Sequence, residues 1–405
     1  MAVGESSLGR LRPIPGVRLG TVAAGIRKPN RRDLVLFELA EGAHCSAVLT
    51  RNRFRAAPIL LTEQHLAASC HPRYWLVNTG YANAGNGAQG LSDALSCVRR
   101  VAEQARCAVP EVLMFSTGVI GEPLPVDRIV RAIPSAFAEL TDDAWEAAAH
   151  GIMTTDTRPK GTSSVISIEG RPVTLTGIAK GAGMIRPDMA TMLAFLATDA
   201  VLDPVWARQA LGAAVDVSFN RITVDGDTST NDACALAVTG RSGVRIDGAG
   251  DSGRRFLAAL SEVCRTLALA IVRDGEGATR LVHVAVAEAA DEAEAARVAF
   301  AIAESPLVKT AVFAGDPNWG RVLAAVGRAD IADMELERVR IFLNDLCVAE
   351  NGARSGSYQE SEAVARMSAA EIEIRVVLGR GDAATSVWTC DLSYDYITIN
   401  ADYRT

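Results

Sequence analysis

The residue best placed for covalent chemistry is a threonine at the border between a glycine-rich loop and an apolar strand. Thr191 stands in the run Lys180-Gly-Ala-Gly-Met-Ile-Arg-Pro-Asp-Met-Ala190-Thr191-Met-Leu-Ala-Phe-Leu-Ala-Thr-Asp199. The Gly and Pro content ahead of it marks a loop; from Thr191 on, the run is apolar and reads as a buried strand. A threonine hydroxyl is a weak nucleophile without a base beside it. Cutting the Ala190–Thr191 bond would give Thr191 a free α-amine next to its own hydroxyl, so that one residue supplies nucleophile and base. On this reading the chain is a precursor that becomes active by splitting itself.

Other segments offer the partners such a residue needs. A free α-amine titrates at about 7.7–8.0, and a lysine such as Lys180 nearby pushes it toward the unprotonated, basic form. Ser116-Thr117-Gly118 ends a strand in a small polar turn. As function it is an oxyanion hole, because Gly118 lets backbone N–H groups approach a developing negative oxygen. Glu276 lies between two glycines in Asp274-Gly-Glu-Gly-Ala-Thr279 and suits an amine or ammonium ligand. Thr154 belongs to Met153-Thr-Thr-Asp-Thr157, a capping cluster or a polar substrate site. Asn400 and Thr405 lie in the tail, where position alone suggests fraying. Each has a bland alternative: Thr191 an edge-strand threonine, Lys180 a solvated turn lysine, the Gly near 275 a helix cap. The polar run Asn220 to Asn231 reads as a hydrogen-bonded loop or as scaffolding for a site.

These residues have to be positioned by alternating strands and helices. Strands are expected at Leu34–Glu41, His44–Thr50, Tyr74–Thr79, Glu111–Ser116, Thr191–Asp199, around Ile222 and Ala235, and at Leu281–Ala287. A helix carries Leu91, Leu95, Val98, Val101, Ala102 and Ala105 on one face. Another starts with Thr141 as N-cap and ends at Gly151. Ser163 to Ile178 forms a hairpin with Glu169-Gly170-Arg171 at its turn. Helices follow from about Asp203 and over Arg254 to Arg273. From Leu281 the texture changes to a smaller α+β unit, which sets expected domains of 1–280 and 281–405. The last strand is expected at Val387–Ile399.

Composition narrows the function classes. The 405 residues are 49% hydrophobic and carry a net charge of −7, enough for a large core and unsuited to nucleic acid. The start lacks an apolar signal core and no apolar stretch is long enough to span a bilayer, so the cytoplasm is the expected compartment. Eight scattered cysteines and five histidines show no metal-type spacing, so no metal site is expected. None of the histidines lies near a nucleophile elbow, which favours a terminal threonine that needs none. Two Gly-x-Gly-x-x-Gly matches, at Gly85–Gly90 and Gly248–Gly253, raise a nucleotide-dependent oxidoreductase. The first lies well past its strand end and the second lacks an acidic partner in a following strand, so both read as turns into helices.

Taken together, the segments resemble the ornithine acetyltransferase family, also called glutamate N-acetyltransferase, over nearly the whole chain. The resemblance runs through Thr50-Arg-Asn-Arg-Phe-Arg-Ala-Ala-Pro58, Ser116-Thr-Gly-Val-Ile-Gly121, Met153-Thr-Thr-Asp156, Lys180 to Asp199, Asn220 to Asn231 and Asp274 to Thr279. It continues in Asp316-Pro-Asn-Trp-Gly-Arg321, Trp388 to Tyr396 and Asn400-Ala-Asp-Tyr-Arg-Thr405. The Lys-Gly-x-Gly-Met-Ile and Met-Ala-Thr-Met-Leu pieces are the most specific. One departure lies at Ala84-Gly85-Asn86-Gly87, outside the catalytic set. The resemblance implies an α/β (α+β) fold: an αββα-type, N-terminal-nucleophile-like large domain with a smaller α+β domain. It implies self-cleavage between Ala190 and Thr191 into an α-chain 1–190 and a β-chain 191–405, assembled as an α2β2 heterotetramer. It further implies Thr191 as nucleophile, Thr117 and Gly118 as oxyanion hole, and Thr154, Lys180, Thr191, Glu276, Asn400 and Thr405 as substrate-binding positions. The implied reaction moves acetyl from N-acetylornithine to glutamate in arginine biosynthesis, without a cofactor. Acetyl-coenzyme A as a second donor is left open. The rival expectations are an amidase or peptidase using the same Thr191, and a binding protein that kept the fold and lost activity.

Overall fold

The computed structural model describes residues 3–4, 8–69, 71–186 and 192–402. They fall into two units: residues 8–220 with Asp227–Ile271, and residues 272–402 with Arg221–Gly226 and Val3–Gly4.

In chain order the larger unit contains β1 (Val17–Val22), β2 (Leu34–Leu39), β3 (His44–Leu49), α1 (Ala57–Ala68), β4 (Tyr74–Tyr81), α2 (Gly87–Ala105), β5 (Val112–Val119), α3 (Val126–Ala138) and α4 (Trp145–Gly151). It goes on with β6 (Lys160–Ile168), β7 (Arg171–Lys180), β8 (Leu193–Thr198), α5 (Pro204–Asp216), β9 (Ala233–Val238) and α6 (Asp251–Arg273), whose end reaches the unit boundary. One sheet has the order β1-β2-β4-β5, the other β3-β9-β8-β7-β6. Strands buried on both faces need cover on both sides. Between the sheets, Phe37, Trp75 and Phe115 of the first meet Ile178, Leu193, Phe195 and Ala235 of the second. Phe195 lies 5.1 Å from Phe115 and 5.2 Å from Phe37 between ring centroids, so aromatic contacts join the sheets. The outer face of the first sheet is covered by Ala94, Val98 and Val101 of α2 and Ile129 and Ile133 of α3. On the outer face of the second, Leu196 of β8 and Val263 and Leu267 of α6 crowd around Gly177, and Trp206 of α5 packs on Phe256 of α6. The layering is therefore αββα, as expected.

The smaller unit contains β10 (Leu281–Ala289), α7 (Glu292–Ala303), α8 (Pro306–Ala314), α9 (Trp319–Gly327), β11 (Arg340–Leu343), β12 (Leu346–Glu350), β13 (Ala353–Arg354), α10 (Glu360–Met367), β14 (Glu371–Val377), β15 (Ala383–Cys390) and α11 (Tyr394–Asp402). Its sheet runs β13-β12-β11-β14-β10-β15. β10 pairs parallel with β14 and antiparallel with β15. Valines and isoleucines of β10 and β14 share one cluster with Val298 and Ile302 of α7, Val322 of α9 and Met367 of α10. This is the α+β arrangement expected of the smaller domain. No helix among the described residues is long and apolar enough to cross a membrane.

Several elements differ from the sequence expectation, each for a tertiary reason. Thr141 does not cap a helix. Its backbone exchanges hydrogen bonds with Leu19 of β1, at 2.7 and 3.0 Å, so α4 starts only at Trp145. The buried face of α2 is Ala94, Cys97, Val98, Val101 and Ala102, while Leu91 is exposed. Ile222 makes a single bridge, to Trp388, in place of a strand. The expected strand from Val387 to Ile399 stops at Cys390. There the Asp391 carboxylate accepts the backbone N–H groups of Thr279 and Arg280, at 2.8 and 2.9 Å, and the chain turns into α11. The expected hairpin is present but longer, with β6 and β7 spanning 160 to 180; its turn is Glu169 and Gly170, both with positive φ as a two-residue turn of mirror type requires, and Arg171 already belongs to β7.

Candidate active site

The candidate site in the larger unit starts at the end of β5. Ser116-Thr117-Gly118 is not a turn; all three pair with β4 in parallel register, opposite Asn78, Thr79 and Gly80. Phe115 fills the space between the sheets, and alternation along the strand sends Thr117 to the same side. Gly118 has φ +130, and a Cβ there would lie 2.3 Å from the Gly80 carbonyl carbon and 2.6 Å from the Tyr81 nitrogen. No side chain fits, so the strand ends with its backbone N–H unshielded by one. Asn231, in the segment before β9, fixes this end: its amide donates to Ser116 O at 2.9 Å and to Ala82 O at 2.6 Å. The polar Asn231 is thus scaffolding for Thr117 and Gly118.

Lys180, the last residue of β7, follows Ile178 onto the inter-sheet side and donates from Nζ to Thr117 Oγ1 at 3.1 Å. An ammonium can only donate, so Thr117 Oγ1 is the acceptor and its own hydroxyl proton is available for another partner. Lys180 pairs with Leu193 of β8, two residues past Thr191 in sequence.

Asp156 ties the surrounding loops together. It is buried and accepts Lys160 Nζ at 2.6 Å, the Gly181 N–H at 2.7 Å and the Thr154 N–H at 2.9 Å. Burial pushes its pKa up. The charges of Lys160 and Lys180 and the hydrogen bonds outweigh that and hold it well below the usual carboxylate range. Arg31 grips the same loop through the carbonyls of Met153 and Thr154, at 2.6 and 3.3 Å. Thr154 is thereby tethered through one carboxylate to the residue after Lys180. The sequence motif contained Asp156, but nothing in it singled out the carboxylate as the anchor.

A second buried carboxyl, Asp232, precedes β9. Burial drives its pKa well above the ordinary carboxylate value, against the opposing pull of Lys180, Ser229 and the Met192 N–H. Sequence reasoning missed it; the only signal was its place in the polar run before an apolar strand.

In the smaller unit, Glu276 is buried, and its Oε2 accepts the Asn400 side-chain amide at 2.8 Å. The same amide also donates to Tyr396 O, one turn back in α11, at 3.0 Å. Gly277 has φ +69, and a Cβ there would come within 2.5 Å of the Tyr396 nitrogen. Gly277 therefore allows close approach of α11. Asn400 belongs to this helix, not to a frayed tail. Thr117, Lys180 and, through Asp156, Thr154 form one group in the larger unit; Glu276 and Asn400 form another in the smaller. Ala190, Thr191 and Thr405 lie outside the described residues. Asn318 caps α9 through the Arg321 N–H at 3.1 Å, which gives the Asp316-to-Arg321 motif a structural role.

Comparison with known proteins places these groups in context. The ArgJ family matches residues 18–405 of this chain. The arginine biosynthesis bifunctional protein ArgJ of Methylococcus capsulatus is 53% identical over 397 residues, covering 98% of this chain and 97% of its own. The protein of the same name from Pseudomonas fluorescens is 48% identical over 407 residues, covering both chains fully. The crystal structure of arginine biosynthesis bifunctional protein ArgJ from Bacillus halodurans is similar at a TM-score of 0.50 and 40% identity, covering 53% of this chain and 100% of the crystallised one. With the whole chain aligned at this identity and the motifs around Thr117, Lys180 and Glu276 inside the matched region, this chain belongs to the ArgJ family.

Proposed function

We propose that this chain is a self-processing acetyltransferase of arginine biosynthesis, moving acetyl from N-acetylornithine to glutamate through an ester on Thr191. The observation that carries this reading is the Lys180–Thr117 contact of 3.1 Å at the Gly118 strand end. It sets a cation and a hydroxyl donor together, beside the start of the strand that Thr191 precedes. The family relatives, named for arginine biosynthesis, supply the pathway. Thr191 Oγ attacks the acetyl carbonyl while its proton passes to the Thr191 α-amine. The Gly118 N–H and the Thr117 hydroxyl hold the oxyanion. Collapse returns the proton to the departing ornithine nitrogen and leaves an acetyl ester on Thr191. The amine of glutamate then attacks that ester, and the same groups run in reverse. β-Branching restricts Thr191 χ1 and helps hold Oγ on line. In this reading Thr154, Lys180, Glu276, Asn400 and Thr405 bind the substrates, with the two carboxyl-and-amide groups of the smaller unit suited to an amino-acid ammonium.

Self-cleavage uses the same hydroxyl: Thr191 Oγ attacks the Ala190 carbonyl, the acyl group shifts from nitrogen to oxygen, and water releases the α-chain 1–190. The crystallised Bacillus halodurans chain spans 53% of this one, the share that a β-chain 191–405 would make, which is in line with this scheme. The mature assembly is α2β2, and acetyl-coenzyme A serves as a second donor, as the word bifunctional in the relatives' names suggests. Denaturing intact-mass spectrometry of the purified protein tests the first step. Thr191→Ala is expected to remain one chain and to lose transfer; a Thr191→Ala protein that still moves acetyl groups sinks the scheme. The amidase alternative predicts free acetate from N-acetylornithine in the absence of glutamate, at the rate of transfer.

A further inference from the structure

The motif Thr50 to Pro58 has no part in the transfer scheme, yet it carries arginines at every second position, Arg51, Arg53 and Arg55. They line a groove of about 1020 Å3 in the larger unit, together with Cys45 to Leu49 of β3 and Arg208 of α5. β3 is an edge strand of the second sheet. The Thr50 N–H goes to Asp232 O at 3.0 Å, on the β9 side. By alternation, the backbone groups of Ala47 and Leu49 point away from β9, toward the open edge. The one carboxylate in the lining, Glu63, holds Arg55 at 2.9 Å. Arg53 and Arg208 are exposed and have no ion pair among the described residues. Four arginines against one carboxylate, in a chain of net charge −7, make a local field suited to an anion. Guanidinium forks match phosphate oxygens in particular.

The arginine segment is tied to the Thr117 site through residues 228–232. Thr50 Oγ1 donates to Ser229 O and the Ala56 N–H to Thr230 O, each at 2.9 Å, while Asn231 of the same run holds the Thr117 strand end. One row of the second sheet joins the two places: Leu49 of β3 pairs with Ala233 of β9, Ala233 with Leu193 of β8, and Leu193 with Lys180 of β7. Neighbouring strands lie about 4.7–4.9 Å apart, so three steps set the end of β3 roughly 14 Å from Lys180. We propose that this groove binds the phosphate end of a coenzyme A thioester, with the pantetheine arm reaching from the arginines to the Lys180–Thr117 contact. The arm has about thirteen bonds from phosphorus to sulfur; at three bonds per peptide residue it extends roughly 14–16 Å, which matches the span. The inference rests on the reading that acetyl-coenzyme A is a second donor, and supplies the site for it. Transfer from the thioester follows the ester scheme: an Oγ–C bond forms, the C–S bond breaks, and the proton released by the hydroxyl ends on the coenzyme A thiol.

The test compares the full-length wild-type protein with the double variant Arg53→Ala/Arg208→Ala. Glutamate is the acceptor throughout, and three donors are compared: acetyl-coenzyme A, S-acetylpantetheine, which lacks the phosphates, and N-acetylornithine. In the double variant, KM for acetyl-coenzyme A is expected to rise at least about tenfold with kcat within about twofold, the pattern of lost uniform binding. Rates with S-acetylpantetheine and N-acetylornithine stay within about twofold of wild type, which also shows that the variant folds. Arg53→Glu should raise KM for acetyl-coenzyme A further, because a like charge then faces the phosphates. A wild type that uses acetyl-coenzyme A beside a double variant with the same KM overturns the proposal and leaves the second-donor reading standing. Equal losses with all three donors overturn it too, since the arginines would then serve the site or the fold and not the phosphates. A wild type that transfers from N-acetylornithine but not from acetyl-coenzyme A removes the second-donor reading, and this inference with it.

Discussion

Two buried carboxyls flank Lys180 in the larger unit, and their surroundings drive them in opposite directions. Asp156 has a cation in contact and two backbone N–H donors, so its charged form is favoured despite burial. Asp232 has no ion pair among the described residues and one oxygen without a partner, so burial outweighs the pull of Lys180 and raises its pKa. The difference teaches that burial alone decides little; what matters is whether the carboxyl's hydrogen-bonding capacity is filled. A filled carboxylate holds loops in place.

The comparison breaks most visibly at Asp156. Asp156→Asn takes the carboxylate partner from the buried Lys160 and is expected to cost about 3–5 kcal/mol in urea unfolding. Adding Lys160→Met to that variant should recover most of the loss, because removing both charges is far cheaper than removing one. A single variant as stable as wild type would show that the pair is not what holds the loop. Next comes the group between the two carboxyls. Thr117→Val keeps the shape of the strand end and removes the hydroxyl donor. It should lower kcat by about 10²–10³-fold, with little change in unfolding midpoint; equal kcat would remove Thr117 from the oxyanion role.

The pH dependence of stability sharpens the contrast. Asp156 has a depressed folded pKa, so its contribution is present above the ordinary value of 3.8 and is lost only as pH falls through the lower folded value. Asp232 has a raised folded pKa, so the fold loses stability as pH climbs from 3.8 toward the folded value. Asp232→Asn should therefore flatten the mildly acid to neutral part of the stability curve and leave the strongly acid part alone. An unchanged slope would show that Asp232 titrates alike in both states. The smallest effect is expected in the other unit. Asn400→Ala removes one hydrogen bond from Glu276, about 1 kcal/mol, and should appear mainly in KM; a kcat loss larger than that of Thr117→Val would move Asn400 into the chemistry itself.

Much of this was legible in the residues, and the failures have a common cause. The β6–β7 turn, α5 from Asp203 and the buried strand β8 follow from local rules: positive-φ residues at a turn, a side-chain cap, an unbroken apolar run. The misplaced start of α4 and the strand expected over Val387–Ile399 depended on Leu19 and on Thr279 with Arg280, partners more than a hundred residues away. The site divides the same way. Thr117, Lys180 and Glu276 stood out through specific motifs, whereas Asp232 carried no motif.

By itself, the sequence determined most element types and the residues able to do chemistry, because periodicity, turn residues and side-chain identity are local properties; the αββα class came from the family resemblance and not from the pattern. Only the tertiary structure decided that Lys180 touches Thr117, that Gly118 must lack a side chain because Gly80 stands against it, and that Asp156 is paired while Asp232 is not. Those outcomes depend on which strands become neighbours and on how far each polar group is cut off from water, and both are set by the packing of distant segments.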